Sequence, residues 1–191
     1  AGILVMGHLG LTPQSSSSFG GYRVQAKTVS SFESILADAL ALQEAGAFAI
    51  LLEALPSEPA KQIARQLKIP IYGIGAGNQV DGQLIIMHDL LGLYSAFRPR
   101  FAKCMIPDVL ETFAKAVRNT DQAKLGTNDG LLWMAELAIK KYVDDVKLRT
   151  FPNSETTYPI TEQELSNLKK SRLWNRVDSG TELKVDHSLT F

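Results

Sequence analysis

Two ionisable residues follow apolar runs of strand length, and their positions suggest acid–base chemistry. Glu53 comes directly after the apolar run 47–52, and His8 follows the run 3–6 with only Gly7 between them. Apolar surroundings penalise an ionised carboxylate, so they raise its pKa and make it a stronger base. We therefore expect Glu53 to be a general base that removes a proton beside a carbonyl group. The alternative is a hydrated carboxylate one residue past its strand.

His8 stands where the first predicted strand meets its exit loop, which continues through Gly10 and Pro13. In sheets with helical crossovers, ligands bind at the loops that leave the carboxyl ends of the strands. His8 is therefore either a residue of such a site or a polar residue at its rim.

A glycine-rich turn, GIGAGN at 73–78, invites a nucleotide-binding interpretation that its spacing does not support. The glycines follow the pattern G-x-G-x-G, Asn78 stands where the dinucleotide fingerprint needs Gly or Ala, and no long helix opens there. The glycines either allow a close backbone approach to a ligand or form a tight turn.

The other candidate residues carry weaker signals. His88 and Asp89 could belong to a metal site or an acid–base pair, but neighbours on a strand point to opposite faces, which favours a polar end to the fourth strand. The four serines at 15–18 have no base at a recognisable spacing, which makes a nucleophilic serine improbable. Cys104 is best explained as a buried structural thiol.

The elements that must position these residues alternate along the first half of the chain. Strands are predicted at 3–6, 47–52, 69–74 and 83–87. The first helix starts at a Ser30–Glu33 capping box and closes at Gly46, and Ser57 is the N-cap of the second. This order predicts an α/β protein with a parallel sheet. Further helices are expected at 107–117 and 131–148, and from a Thr161 cap to about Trp174.

Composition excludes several classes of function. The 191 residues are 45% hydrophobic and carry 20 basic and 20 acidic side chains, so neither nucleic acid nor an anionic membrane is an expected partner. The single cysteine favours a reducing compartment, either the cytoplasm or the mitochondrial matrix. Because the chain starts at Ala1 almost directly in a strand, we expect an upstream segment to be missing.

Seven motifs follow one another along the chain. They are VMGHLGLTPQS at 5–15, GGYRVQ at 20–25, ALALQEAGAFAILLEALP at 39–56, IPIYGIGAGNQVDGQ at 69–83, MHDLLGL at 87–93, RPRFAK at 98–103 and FPNSETTYP at 151–159. Together they closely resemble the 3-methyl-2-oxobutanoate hydroxymethyltransferase family, also called ketopantoate hydroxymethyltransferase.

The resemblance implies a (β/α)8 TIM-type barrel, of which this chain supplies roughly strands five to eight plus C-terminal helices. Residues 1–150 would form the C-terminal half of the barrel domain. Residues 151–191 would be an extension, partly helical and then poorly ordered from about Asp178. Compared with compact members, 107–129 is an insertion, and no role is inferred for it or for the stretch 160–191.

The resemblance also implies an activity in pantothenate biosynthesis. It is the Mg²⁺-dependent transfer of a hydroxymethyl group from 5,10-methylenetetrahydrofolate to 3-methyl-2-oxobutanoate, giving 2-dehydropantoate. Glu53 would take the proton from the carbon beside the ketone, and His8 would lie against the ketoacid. The metal ligands, two aspartates and a glutamate, would come from the missing N-terminal half, so no metal ligand is expected in this chain. The folate-binding residues are not assigned.

Two alternatives remain beside this activity. One is a catalytically incomplete half-barrel that acts as an interaction or regulatory module, and the other is a related barrel enzyme for a different α-keto acid. In the leading interpretation the partners are a complementary N-terminal half or segment and further copies in a homo-oligomer. Such partners are needed because the inner faces of the four predicted strands require covering.

Overall fold

The computed structural model of the protein describes residues 2–14, 23–94, 96–119 and 129–174, which form an α/β fold as predicted. The strands within these ranges are β1 Met6–Gly10, β2 Ala49–Glu53, β3 Ile71–Ile74 and β4 Gly82–Gln83. The helices are α1 Val29–Glu44, α2 Ser57–Ala64, α3 Met87–Leu90, α4 Ile106–Asn119, α5 Asp129–Lys147 and α6 Glu162–Lys169.

The strands form one parallel sheet in the order β1-β2-β3-β4, so spatial order follows chain order. His8 of β1 lies opposite Leu51 of β2, and Gly10 lies opposite Glu53. Because side chains alternate along a strand and in-register parallel neighbours point the same way, these four residues share one face of the sheet. The parallel α/β prediction is confirmed.

Helices α1 and α2 cover the opposite face of the sheet. Ile50 and Leu52 of β2 and Ile71 of β3 are fully buried there, together with Phe32 of α1 and Ile63 of α2. These central strands are too apolar to have two hydrated faces, as expected for strands joined by helical crossovers. The core therefore lies on the helix side, away from His8 and Glu53.

The segment that contains α6 belongs to the same core. Leu168 and Trp174 are buried in it, and the Trp174 ring packs on Phe32 with 5.1 Å between ring centroids. The Ser171 hydroxyl donates a hydrogen bond to the Glu33 carboxylate across a distance of 2.6 Å. The proposed boundary at residue 150 stays a prediction, but residues on both sides of it share this packing.

Strand β1 runs from Met6 to Gly10, so the prediction of a strand at 3–6 was wrong in its position. Pairing with β2 decides the position, because each β1 residue has a β2 partner from Ala49 to Glu53. His8 is consequently in the middle of its strand. Likewise Glu53 is the last residue of β2, where the sequence had suggested a position one residue beyond it.

The predicted fourth strand at 83–87 was largely wrong. Strand β4 has two residues, Gly82 and Gln83, because β3 turns away after Ile74 and leaves little backbone to pair with. His88 consequently lies on α3 instead of a strand end.

The helix starts match the sequence signals in part. Thr28, not Ser30, caps α1, and its Oγ1 accepts a hydrogen bond from the Ser31 N–H at 3.2 Å. The predicted close of α1 at Gly46 is confirmed, since this glycine follows the helix with a φ of 90°. Pro56, not Ser57, occupies the N-cap position of α2.

The C-terminal helices agree better with their signals. Thr161 and Glu164 form the predicted capping box, although α6 ends at Lys169, before the predicted end near Trp174. The helices predicted at 107–117 and 131–148 are confirmed as α4 and α5. The predictions for the serine-rich loop and for the tail after Asp178 lie outside the described residues. No helix in the described ranges has the length and apolar character needed to cross a membrane.

Candidate active site

The structure brings the two leading candidate residues into direct contact. The His8 Nε2 lies 3.0 Å from the Glu53 Oε2. An ionised carboxylate only accepts hydrogen bonds, so Nε2 is the nitrogen that carries the proton when Glu53 is charged. This contact follows from the register, because β1 and β2 are hydrogen-bonded neighbours and both side chains leave the same face.

Burial sets the electrostatics of Glu53. Its side chain is 12% exposed, against 30% for His8, so the alternative of a hydrated carboxylate does not hold. Desolvation raises the pKa of Glu53 above its ordinary value, and the charge and hydrogen bond of His8 offset this only in part. A carboxylate with a raised pKa is a stronger base than a free one, which is what proton abstraction beside a carbonyl group needs.

The raised pKa predicts a stability effect that requires no substrate. In the unfolded chain Glu53 is expected to have a pKa of 4.5, and in the folded chain its pKa is higher. The folded chain therefore loses stability as the pH rises above 4.5 and through the folded pKa, because the buried carboxyl becomes charged. Glu53→Gln should therefore raise the melting temperature at pH 8 and have a smaller effect at pH 4. Thermal unfolding at both pH values tests this, and an equal or reversed difference would show that Glu53 is not penalised by burial.

The backbone around Glu53 is held by close packing and hydrogen bonds. The Leu11 N–H donates to the Glu53 carbonyl at 2.9 Å. Gly10 adopts a φ of 90°, and a Cβ there would lie only 2.2 Å from the same carbonyl oxygen. Ala54, directly after Glu53, has a φ of 56°, which is costly for a residue with a side chain. Its N–H donates to the Ile74 carbonyl at 3.0 Å, which fixes this strained residue.

The glycine-rich turn after β3 packs against its own chain. A Cβ on Gly75 would lie 2.6 Å from the Phe101 ring, and a Cβ on Gly77 would lie 2.1 Å from the Ser57 Oγ. Both glycines have positive φ angles, of 67° and 77°. Of the two explanations that the sequence left open, the tight turn is the one that this packing supports.

His88, Asp89 and Cys104 do not join this site. Asp89 is buried on α3 while His88 is exposed, so the interpretation as a polar strand end was wrong because there is no strand there. Cys104 is half-buried. Within the described ranges, no group of three or more His, Cys, Asp or Glu residues is arranged to hold a metal ion.

Two aromatic residues on the Glu53 face of the sheet, Phe101 and Tyr158, were not predicted from the sequence. Phe101 and Ile74 are buried in a cluster against which Leu51 and Tyr158 pack. The motifs RPRFAK and FPNSETTYP contain both aromatic residues, but nothing in their spacing indicated that they meet. His8 also lines an open cavity of about 450 Å³, which lies between β1 and the start of α1. Small molecules can occupy a cavity of this volume.

Together these features define an α/β protein in which a buried carboxylate contacts a partly exposed imidazole at the edge of the parallel sheet. The family model described as "Ketopantoate hydroxymethyltransferase" matches residues 1–124. The chain belongs to this family of hydroxymethyltransferase enzymes.

Curated relatives agree with this assignment. The chain is 42% identical over 158 residues to the 3-methyl-2-oxobutanoate hydroxymethyltransferase of Porphyromonas gingivalis, which covers 83% of this chain and 50% of the relative. The protein of the same name from Moorella thermoacetica shows 42% identity with the same coverage. That from Alkaliphilus metalliredigens shows 42% identity over 88% of this chain and 52% of its own length. The chain thus spans about half the length of these curated relatives.

Proposed function

We propose that this chain takes part in transferring a hydroxymethyl group from 5,10-methylenetetrahydrofolate to 3-methyl-2-oxobutanoate, giving 2-dehydropantoate in pantothenate biosynthesis. The observation that carries the proposal is the 3.0 Å contact between His8 and a buried Glu53. Family membership supports the reaction type. This reaction needs a base such as Glu53, because a carbon nucleophile must first be made from the ketoacid.

Glu53 performs the first chemical step in this proposal. Its carboxylate accepts the proton from C3 of the ketoacid, and the electron pair of that C–H bond moves into the enolate. Water supplies the hydroxyl oxygen by hydrolysing the methylene bridge of the folate, so that the one-carbon unit reacts at the level of formaldehyde and tetrahydrofolate leaves. The enolate carbon attacks the formaldehyde carbon, and the alkoxide that forms takes up a proton to give the hydroxymethyl group, which balances the proton that Glu53 accepted. The raised pKa of Glu53, caused by burial, makes the carboxylate a stronger proton acceptor than a hydrated one.

His8 has two roles in the proposal. Its bond to the Glu53 Oε2 fixes one carboxylate oxygen, which leaves the other free to face the substrate carbon. The partly exposed ring also lies against the ketoacid, as the resemblance implies.

The Mg²⁺ that the resemblance implies does not fit the described residues. His8 and Glu53 are only two potential ligands, and no set of three metal-binding side chains occurs in these ranges. No step is therefore assigned to a metal held by this part of the chain. If the reaction uses Mg²⁺, the ligands belong to residues other than these.

The sheet supports a proposal about architecture and partners. We infer that the four strands are strands five to eight of a (β/α)8 barrel. The support is that spatial order follows chain order and that α1 and α2 cover one face, as in any run of consecutive barrel strands. Directly before β1, the edge strand of the sheet, Ile3 is 79%, Leu4 81% and Val5 54% exposed. An exposed apolar segment beside a sheet edge needs covering. A complementary segment or a second copy of the chain would supply it, in the cytoplasm or the mitochondrial matrix.

The proposal is tested by product formation in two arms. The chain is assayed alone and in a combined sample, both with the two substrates and Mg²⁺ present. The combined sample contains this chain and the half of the Porphyromonas gingivalis relative that it does not match. We expect 2-dehydropantoate from the combined sample, detected by mass spectrometry. Activity with a different α-keto acid, or binding of the two halves without any turnover, would favour one of the alternative functions.

His8→Asn should weaken ketoacid binding and turnover more modestly than a change at Glu53. Asparagine retains a hydrogen-bond donor but shortens its reach to the Glu53 Oε2, so the base is held less firmly. We expect a loss of roughly 10-fold in kcat/KM, well below the full contribution of a general base. Steady-state kinetics of the combined sample measures it, with His88→Asn as a control because His88 is exposed on α3. A loss as large as that of Glu53→Gln would mean that His8 and Glu53 act as one catalytic unit and that His8 does more than hold the base.

A further inference from the structure

Tyr158 is brought to the Glu53 side of the sheet by a segment far along the chain. It packs with Leu51 on the cluster of Phe101 and Ile74. Its ring meets the Phe101 ring edge-on, with 6.1 Å between the centroids. Leu51 is two positions before Glu53 and points to the same face, so the cluster and the carboxylate are neighbours.

The segment 151–158 is anchored at both ends, which fixes the place of this ring. At its start, the Phe151 N–H donates to the Asp145 carbonyl at 3.2 Å, and the buried Phe151 ring packs on Tyr142. At its end, Arg100 Nε donates to the Thr157 carbonyl at 2.8 Å.

The last anchor lies beside the active site itself. Tyr158 forms a parallel bridge with Pro56, the residue before α2, which follows Glu53 by only three positions. The phenol is consequently tied to the same stretch of backbone that carries the base.

The charge of Glu53 also affects the ionisation of the Tyr158 phenol. Burial raises the pKa of the Tyr158 phenol, the Glu53 charge raises it further, and Arg100 opposes both effects. Within the described residues, His8 from β1 contacts Glu53 directly, Tyr158 from the C-terminal segment interacts with its charge, and Arg100 acts on Tyr158.

We propose that Tyr158 is a positioning residue of the active site, whose ring, seated on Phe101, excludes water from Glu53 and so keeps the carboxylate ready to accept a proton. The ring is what matters in this role, because the phenol is neutral at physiological pH and places no charge beside the base. The proposal rests on the function assigned to Glu53, but the effect on its ionisation can be measured without substrate.

The test is a titration of Glu53 in the full chain by ¹³C NMR with carboxyl-labelled glutamate. Glu53→Gln identifies the signal by removing it. In the wild type and in Tyr158→Phe, Glu53 should titrate above the ordinary range of glutamate. In Tyr158→Ser its pKa should shift down towards the ordinary value, because water reaches the carboxylate. Tyr94→Ser, at a half-exposed tyrosine outside the cluster, should leave the titration unchanged.

Kinetics provide the second readout. In the combined sample, Tyr158→Ser should move the acidic limb of the rate profile for C3 proton exchange to lower pH and lower its plateau by roughly 10-fold. A residue with only a structural role would lower the rate without moving the limb. If Tyr158→Ser does not fold, Tyr158→Leu should give a smaller shift in the same direction.

The outcomes separate this proposal from the proposed function. A folded Tyr158→Ser or Tyr158→Leu chain in which Glu53 titrates as in the wild type would overturn the role of Tyr158. A shifted titration without any proton exchange in the combined sample would support Tyr158 as a neighbour that desolvates Glu53, but it would reject the reaction proposed for the site.

Discussion

Glu53→Gln should lower turnover by roughly 10²–10⁴-fold, the usual contribution of a positioned general base. Glutamine has nearly the same size and can still hydrogen-bond to His8, so the site should keep its shape. It cannot accept the C3 proton, however, so the enolate does not form. We therefore expect the ketoacid to bind with little change while product formation almost stops.

The comparison with Glu44→Gln makes this result specific. Glu44 is an exposed glutamate at the end of α1, and its replacement removes the same charge without touching the site. Ketoacid binding is measured by calorimetry and turnover by product formation, both with the combined sample. Normal turnover by Glu53→Gln would mean that Glu53 only borders the site and that another residue is the base.

Gly10→Ala should be among the most destabilising single changes in the sheet. Gly10 has a φ of 90°, and an added Cβ would lie 2.2 Å from the Glu53 carbonyl oxygen and 2.4 Å from the Leu55 Cδ1. Backbone strain at such an angle costs about 1–3 kcal/mol, and the clash adds about 1–3 kcal/mol more. The expected loss in the free energy of unfolding is therefore roughly 2–6 kcal/mol.

Gly46→Ala is a matched control for this effect. Gly46 also has a φ of 90°, but no atom lies within 4 Å of where its Cβ would be. It should lose only the strain energy, so urea unfolding should show Gly10→Ala as the less stable of the two by about 1–3 kcal/mol. Equal losses would mean that the chain relaxes around Gly10 and that the tight packing at Glu53 is not needed.

Much of the fold is predictable from local patterns. Apolar runs revealed β2 and β3, and helical spacing revealed α1, α4 and α5. The capping box at Thr161 was identified because its two residues satisfy each other's backbone groups without any tertiary contact. Strand β1 lies closer to His8 than the predicted strand at 3–6. Its limits depend on pairing with β2, and a local sequence pattern does not show that pairing.

The candidate site was predictable only in part, for the same physical reason. A carboxylate after an apolar run indicates a desolvated base from neighbouring residues alone, which is why Glu53 could be singled out. The contact with His8 depends on strand register, and the approach of Tyr158 depends on a segment anchored to α5 and to Pro56. These contacts join residues that are far apart in the sequence, so the residue types and spacing within one segment do not reveal them.

Removal of the C3 proton of the ketoacid is the step that we assign to Glu53. The most direct measurement is deuterium incorporation into 3-methyl-2-oxobutanoate in D₂O, followed by ¹H NMR in the combined sample without folate. We predict that the C3 hydrogen exchanges in the wild type, that exchange increases as the pH rises through the elevated pKa of Glu53, and that Glu53→Gln slows it by roughly 10²–10⁴-fold. Exchange at the same rate in wild type and Glu53→Gln would mean that another group removes the C3 proton.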